Sequence, residues 1–293
     1  MFAGTFTALV TPFKNDEVDV EAFERLIEMQ IAGAVNGIVP VGTTGESPTL
    51  SCGERHHVIE LAVECARGRC QVIAGTGSNS TRDAITHTKE AEEIGVDGAL
   101  LVAPYYNKPS QEGLFRHFAA IAEATSLELI LYNIPGRCAV DIGADTVVRL
   151  AERFPNIVTI KEASGSVDRV SELVRRTPKN FTILSGDDSL TLPFLSVGAV
   201  GVVSVASNIF PREISQLVGL FLDGKAEEAR RIHQRFHRFF KDLFIEPNPV
   251  PAKTILGWRG AMTPECRLPL TAMSAPNEER LRKTLAELEQ ALA

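Results

Sequence analysis

Lys161 is the residue whose type and position most suggest covalent chemistry. It ends the apolar run Asn156-Ile157-Val158-Thr159-Ile160-Lys161, and an ammonium closing such a strand is costly to bury unpaired. Position alone leaves two readings open. The side chain either reaches solvent or pairs with Glu162, or a dry site lowers its pKa from about 10.4 toward neutrality, freeing an amine to attack a carbonyl. The three tyrosines, Tyr105, Tyr106 and Tyr132, fall at or just after strand-like runs. Tyr132 ends the run one repeat before that of Lys161, so adjacent parallel strands would bring the two within reach. A phenol there can relay protons to and from a carbinolamine or enamine. The alternative is a packed tyrosine with its hydroxyl satisfied.

Gly42-Thr43-Thr44-Gly45-Glu46 follows the second apolar run. Its glycines let backbone amides turn inward, and the hydroxyls of Thr43 and Thr44 add donors. That combination suits a small carboxylate, although a simple turn has the same composition. It is not a phosphate loop, since neither the lysine-containing nor the dinucleotide glycine pattern is present. Arg137, a few residues past Tyr132, is either a surface residue or a fork-shaped cation able to hold a second carboxylate.

No metal set appears. His56, His57, His87, His117, His233 and His237 lie on helical segments, away from the strand ends. His233 and His237 share one helix face, with no third ligand in view. His56 and His57 are expected to be exposed. Asp187-Asp188 could bind a cation, but a helix N-cap is the simpler role. The cysteines, Cys52, Cys65, Cys70, Cys138 and Cys266, show no CxxC or Cys/His spacing and read as reduced thiols of a cytoplasmic protein.

To hold such residues at strand ends, the chain offers eight short apolar runs: 5–10, 37–41, 72–74, 99–102, 129–132, 157–161, 182–184 and 200–205. They recur at the period of a βα unit and are almost continuously apolar, as parallel strands covered on both faces must be. Helix signals lie between them. Residues 19–33 place Phe23, Leu26, Ile27 and Ile31 on one face, with Gly33 where a C-cap belongs. Ser51 and Glu54 form a capping box ahead of Val58, Leu61, Ala62 and Cys65. Ser80 with Asp83 opens the next helix and Gly95 closes it. Ser166 opens another, with Val167, Val170, Leu173 and Val174 expected as its buried face. This unbroken alternation predicts an α/β fold, a (β/α)8 TIM barrel with a C-terminal helical extension, over an open doubly wound sheet. The barrel is expected over 1–224. The extension, 225–293, is split by Glu246-Pro247-Asn248-Pro249. Helical periodicity continues through 212–222, 226–244, 250–257 and 277–292. In barrels the active site lies at the C-terminal ends of the strands, where Lys161, Tyr132 and the glycine-threonine loop all fall.

The bulk numbers agree with one such domain. The 293 residues are 44% hydrophobic and 23% charged, with a net charge of −7. That balance disfavours nucleic acid and anionic membranes, whose phosphates require clustered Lys and Arg, and leaves a small anionic substrate open. No apolar stretch is long enough for a membrane helix. The first residues lack the basic start of a signal peptide.

Taken together, these segments resemble the dihydrodipicolinate synthase/N-acetylneuraminate lyase superfamily, and within it the synthase branch, from Phe2 to about Pro269. The motifs are Gly42-Thr43-Thr44-Gly45-Glu46, Pro104-Tyr105-Tyr106-Asn107, Tyr132-Asn133-Ile134-Pro135-Gly136-Arg137, Ile160-Lys161-Glu162-Ala163 and Glu246-Pro247-Asn248-Pro249. The resemblance implies a lyase in lysine and diaminopimelate biosynthesis that needs no cofactor. Lys161 would form an imine with pyruvate and Tyr132 would shuttle protons. Thr43 and Tyr106 would complete the relay, Tyr106 from a neighbouring subunit of a homotetramer. Thr44 and the backbone at Val203 would hold the pyruvate carboxylate, and Arg137 would hold that of L-aspartate 4-semialdehyde. Sialic-acid lyases and 2-keto-3-deoxy-sugar-acid aldolases share the lysine and tyrosine, so Arg137 and the Thr43-Thr44 pair are what favour the synthase branch. The other class of reading is a non-catalytic barrel that binds a small carboxylate. In lysine-sensitive relatives an allosteric pocket is lined by residues matching Pro48, Cys52, Arg55, Asn79, Asp83 and Tyr105. Cys52, Arg55 and Asp83 depart from the sensitive pattern, so weak or absent inhibition by L-lysine is expected.

Overall fold

The structure, a computed structural model, describes residues 2–292. Eight parallel strands close into a barrel in chain order: β1 (Gly4–Ala8), β2 (Gly37–Val39), β3 (Gln71–Gly75), β4 (Gly98–Val102), β5 (Glu128–Asn133), β6 (Ile157–Glu162), β7 (Thr182–Ser185) and β8 (Gly201–Ser204). Strand β8 pairs back onto β1, with Val203 opposite Phe6, which excludes the open sheet. Each apolar run foreseen from sequence contains a strand, with ends displaced by a few residues. A small hairpin, Phe13–Lys14 with Glu17–Val18, was not foreseen.

Between the strands run α1 (Val20–Ala32), α2 (Cys52–Ala66), α3 (Thr81–Ile94), α4 (Gln111–Ala122), α5 (Ala144–Arg153), α6 (Val167–Arg176), α7 (Thr191–Ser196) and α8 (Pro211–Leu222). Their caps follow the sequence signals. Ser51 and Glu54 complete the capping box of α2, Ser80 accepts from the Asp83 amide at α3, and Ser166 caps α6. These contacts satisfy amide donors that have no partner within the helix. One helix-face assignment was wrong. Val174 is 42% exposed, whereas Val170 and Leu173 are buried. A step of about 100° per residue from Leu173 turns Val174 away from the barrel, where it lies over Gly198.

Inside the barrel, Phe2 and Phe6 pack edge to face, their ring centroids 5.9 Å apart. Gly37 and Gly98 face them: a Cβ on Gly37 would come within 2.6 Å of the Phe6 ring, and one on Gly98 within 2.6 Å of the Phe2 ring. This aromatic plug fills the barrel, and Thr159 and Thr182 share a buried hydrogen bond of 2.7 Å. Lys161 is two residues beyond Thr159 on the same face of β6.

Three further helices follow: α9 (Ala226–Asp242), α10 (Val250–Trp258) and α11 (Ala275–Leu292). Phe236 and Phe239 of α9 stack edge-on against Phe210, so this segment shares the barrel's apolar core. It also reaches the glycine-threonine loop. Asn248 donates a 2.9 Å hydrogen bond to the Thr44 hydroxyl. Glu46 forms an ion pair with fully buried Lys253 of α10 and accepts from the Arg267 amide at 3.0 Å. Removing one partner of such a buried pair costs about 3–5 kcal/mol, because the other charge is left uncompensated. Among the described residues, no helix is long and apolar enough to cross a membrane.

Candidate active site

Strands β5 and β6 run in register with Tyr132 opposite Lys161. Both side chains are buried, Lys161 with only 6% of its surface exposed. The Lys161 Nζ lies 4.0 Å from the centroid of the Tyr132 ring. Space for the lysine is left by Gly186, where a Cβ would approach the Lys161 Cε to 3.2 Å and the Ala163 Cβ to 2.7 Å.

The strand end is locked from the outer side. Glu162, fully buried, accepts from Arg169 Nε at 2.8 Å, from Asn133 Nδ2 at 3.1 Å and from the Ser164 amide at 2.7 Å. Glu162 is thus committed to Arg169 and Asn133 and does not pair with Lys161, and the alternation of side chains along a strand sends the two to opposite faces. Asn133 Oδ1 also takes the Ile142 amide at 3.0 Å, tying the loop after Arg137 to β5.

Burial brings the Lys161 amine down to about 7. The carboxylate of Asp188 opposes this drop and the guanidinium of Arg137 adds to it. The ring face of Tyr132 favours the ammonium by about 0.5–2 kcal/mol, which is smaller than the penalty of removing a cation from water. Near neutral pH a substantial fraction of the amine is therefore free to act as a nucleophile. Burial raises the Tyr132 phenol well above its usual range, while Arg137 and a hydrogen bond with Thr43 pull it back. The phenol is a protonated donor and acceptor poised over the amine.

Two cavities adjoin this centre without being lined by Lys161 or Tyr132 themselves, and Ile134 and Arg137 line both. One, of about 420 Å³, includes Thr43, Tyr105 and Cys138. The other, of about 390 Å³, includes Gly186, Asp187 and Phe244. Arg137 stands on a short helix, Pro135–Cys138, and is exposed. Thr44 is buried and Val203 lies inside β8. Tyr106 is apart from this group: it is 88% exposed, lines neither cavity, and has a positive φ of 72°, an uncommon conformation for a bulky residue.

Of the residues expected in a regulatory pocket, Pro48, Cys52, Arg55 and Tyr105 line the larger cavity, and Asn79 and Asp83 do not. The Asn79 carbonyl accepts from Asn107, and Asp83 is exposed in the first turn of α3. The histidines were expected on helices away from the strand ends, but His87 lines the same cavity. Its ring reaches from α3 to the Thr76 backbone, just beyond β3. His56 and His57 are exposed as expected. Among the described residues no group of three or more His, Cys, Asp or Glu could hold a metal. Sequence reasoning missed Gly186, Asn248 and the burial of Asp188. The run Ser185-Gly186-Asp187-Asp188 after β7 was the available signal for two of them.

The family model for the dihydrodipicolinate synthetase family matches residues 1–288. A relative from Sulfurihydrogenibium sp. (strain YO3AOP1), named 4-hydroxy-tetrahydrodipicolinate synthase, is 54% identical over 97% of this chain and 98% of its own. The solved 4-hydroxy-tetrahydrodipicolinate synthase of Methylacidiphilum fumariolicum SolV superposes with a TM-score of 0.99 at 60% identity, covering 100% of this chain and 97% of its own. Dihydrodipicolinate synthase from Aquifex aeolicus superposes at 0.97 with 50% identity, covering 98% of each chain.

The depressed lysine has two measurable consequences. Trapping of a small 2-keto acid by borohydride is expected to rise with pH through an inflection near 7, not near 10.5. Between those values the unfolded chain binds the proton that the folded site has lost, so stability rises with pH across that window. Lys161→Met abolishes trapping and, lacking the buried amine, melts no lower than the wild type at pH 6 by circular dichroism. An inflection near 10, or a mutant that still traps, would remove Lys161 from this role.

Proposed function

This chain belongs to the dihydrodipicolinate synthetase family, and we propose that it condenses pyruvate with L-aspartate 4-semialdehyde through an imine on Lys161. The product is 4-hydroxy-tetrahydrodipicolinate, in lysine and diaminopimelate biosynthesis, as the names of its relatives support. The observation that carries this reading is the dry, unpaired Lys161 amine against the Tyr132 ring.

The free amine attacks C2 of pyruvate, and its proton passes by way of Tyr132 to the former carbonyl oxygen. A second proton from the relay lets that oxygen leave as water, giving the iminium. Loss of a C3 proton then gives the enamine, with the iminium as electron sink, so no cofactor is needed. Enamine carbon C3 attacks the aldehyde carbon of the second substrate, and the new alkoxide takes a proton. The substrate's own amine adds at C2 and displaces Lys161, which closes the ring. Thr44 and the backbone at Val203 hold the pyruvate carboxylate. Thr43 links Tyr132 to the relay, supported by its hydrogen bond to the phenol. Residues 225–293 act as an extension that braces the barrel, and the protein works in the cytoplasm as a homotetramer, a dimer of dimers.

Arg137 holds the carboxylate of L-aspartate 4-semialdehyde. Its exposed position, lining both cavities, supports this. A charge-assisted bidentate contact is worth on the order of 2–3 kcal/mol. Arg137→Ala is expected to raise the KM for the semialdehyde roughly thirty- to hundredfold and that for pyruvate far less in a steady-state assay with both substrates. Equal changes would make the residue architectural.

Tyr106 completes the relay of a neighbouring subunit. An exposed aromatic ring on strained backbone, outside its own cavities, supports a use in trans. Mixed oligomers of inactive Tyr106→Phe and inactive Lys161→Ala chains should recover activity, because one site in the mixture regains both groups. Verified mixed oligomers without activity would return Tyr106 to its own subunit.

L-lysine inhibits weakly or not at all. Among the described residues lining the larger cavity there is no carboxylate, while Arg55 places its guanidinium there, donating to the Gly75 carbonyl at 3.0 Å. A ligand bearing two ammonium groups meets repulsion without a counter-charge. At pH 8, activity should show no cooperative inhibition with a midpoint below about 1 mM, roughly −4 kcal/mol of binding. A midpoint well below that would show the pocket reads lysine despite its substitutions.

A further inference from the structure

The two acids after β7 part company. Asp187 caps the short turn Asp188–Leu190, accepting from the Ser189 amide and hydroxyl at 2.9 Å each. Asp188 is buried against the end of β8 and is 2% exposed. One of its oxygens accepts from the Val205 and Ala206 amides at 2.9 and 3.0 Å, and the other from the Ser204 hydroxyl. The carboxylate therefore staples the β7 loop to the backbone that follows Val203.

Resting on the reading of Lys161 as nucleophile, we propose that Asp188 is a positioning residue for the reaction. Its buried carboxylate fixes the chain beyond Val203 and supplies the opposing charge for the amine and iminium of Lys161. Around this pair lie Asp187 on the same turn, Arg137 and Tyr132 from β5 and its loop, and Glu162 on β6, which is committed to Arg169. Lys241 of the helix packed over the turn shares a cavity with Asp187. Among the described carboxylates only Asp188 weighs on Lys161, and it does so against burial and Arg137. Burial also lifts Asp188 itself to about 6, with its three hydrogen bonds holding it lower than burial alone would. The charge is thus present where the amine titrates and disappears below that range.

Asp188→Asn keeps the shape. Its amide oxygen can take both backbone amides while its NH2 group faces the Ser204 hydroxyl, so the change isolates the charge. Without that charge the ammonium is less favoured, and the acidic limb of the imine-formation rate, read by borohydride trapping of pyruvate, should move about one pH unit lower. Ser204→Ala removes one donor from the carboxylate, which then protonates at a higher pH. It should move the limb in the same direction by less, and it decides the matter if the first variant does not fold. Limbs that superimpose on the wild type, whatever the loss in melting temperature, would make Asp188 purely structural. A wild type that traps no pyruvate at all would instead overturn the underlying reading of Lys161.

Discussion

The desolvation of the Lys161 amine is the constraint from which the arrangement of the site follows. An amine is nucleophilic only when it has lost its proton, and removing a cation from water is what loses it near neutral pH. A strand end inside a closed barrel supplies that environment, because its backbone groups are consumed by neighbouring strands and its inner face by packed side chains. Phe2 and Phe6 plug the barrel, and Gly186 leaves a slot that the lysine stem fills. Around the slot the charges are few and of opposite effect. Arg137 presses the amine toward its neutral form and Asp188 toward its charged form. The proposed reaction, which begins with a free amine and passes through an iminium, draws on both.

The chain beyond the barrel answers a second need. The glycine-threonine loop has to hold two hydroxyls at fixed positions over the barrel end, yet it turns on residues with positive φ, Val41 and Glu46. A loop with such backbone does not stay in place unaided. Asn248 fixes Thr44 from outside, and the Arg267 amide with Lys253 fixes Glu46. All three come from sequence after the eighth strand, so the extension braces a loop that follows the second. Thr43 and Tyr132 line one small cavity, so the braced loop adjoins the proposed proton relay.

Much of this was legible in the residue order, for reasons that separate cleanly. The barrel shows because βα periodicity is local, and Lys161 shows because a charged residue ending an apolar run is a local anomaly. Tyr132 followed from the same register. What stayed hidden depends on contacts between distant segments or on rotation about a helix. Asn248 gives no local sign of reaching Thr44, some two hundred positions away. His87 is on a helix, and only the helix's placement shows that its ring reaches the backbone just beyond β3. The adjacent acids 187 and 188 are chemically identical in sequence, and only the backbone turn sends one to a cap and buries the other. Val174 was misplaced because an apolar residue at a helix end satisfies the composition of a buried face without its angle.

The chain buries two lysines, Lys161 and Lys253, and their contrast bears on why only Lys161 is proposed as a nucleophile. Lys253 is fully buried, and burial lowers it as well. But Glu46 pairs with it, the Glu265 carbonyl accepts from it at 2.8 Å, and the Phe13 ring lies 4.2 Å from its nitrogen. Its three donors have acceptors and its charge has a counter-charge, so the ammonium is the state the surroundings are built for. Lys161 has the Tyr132 ring on one side, and among the described residues no carboxylate lies within ion-pairing distance. Its charge is opposed only at longer range by Asp188, and it faces Arg137. Burial alone does not make a nucleophile of a lysine. What does is burial combined with the withholding of close partners, and that is the difference between these two positions in one and the same fold.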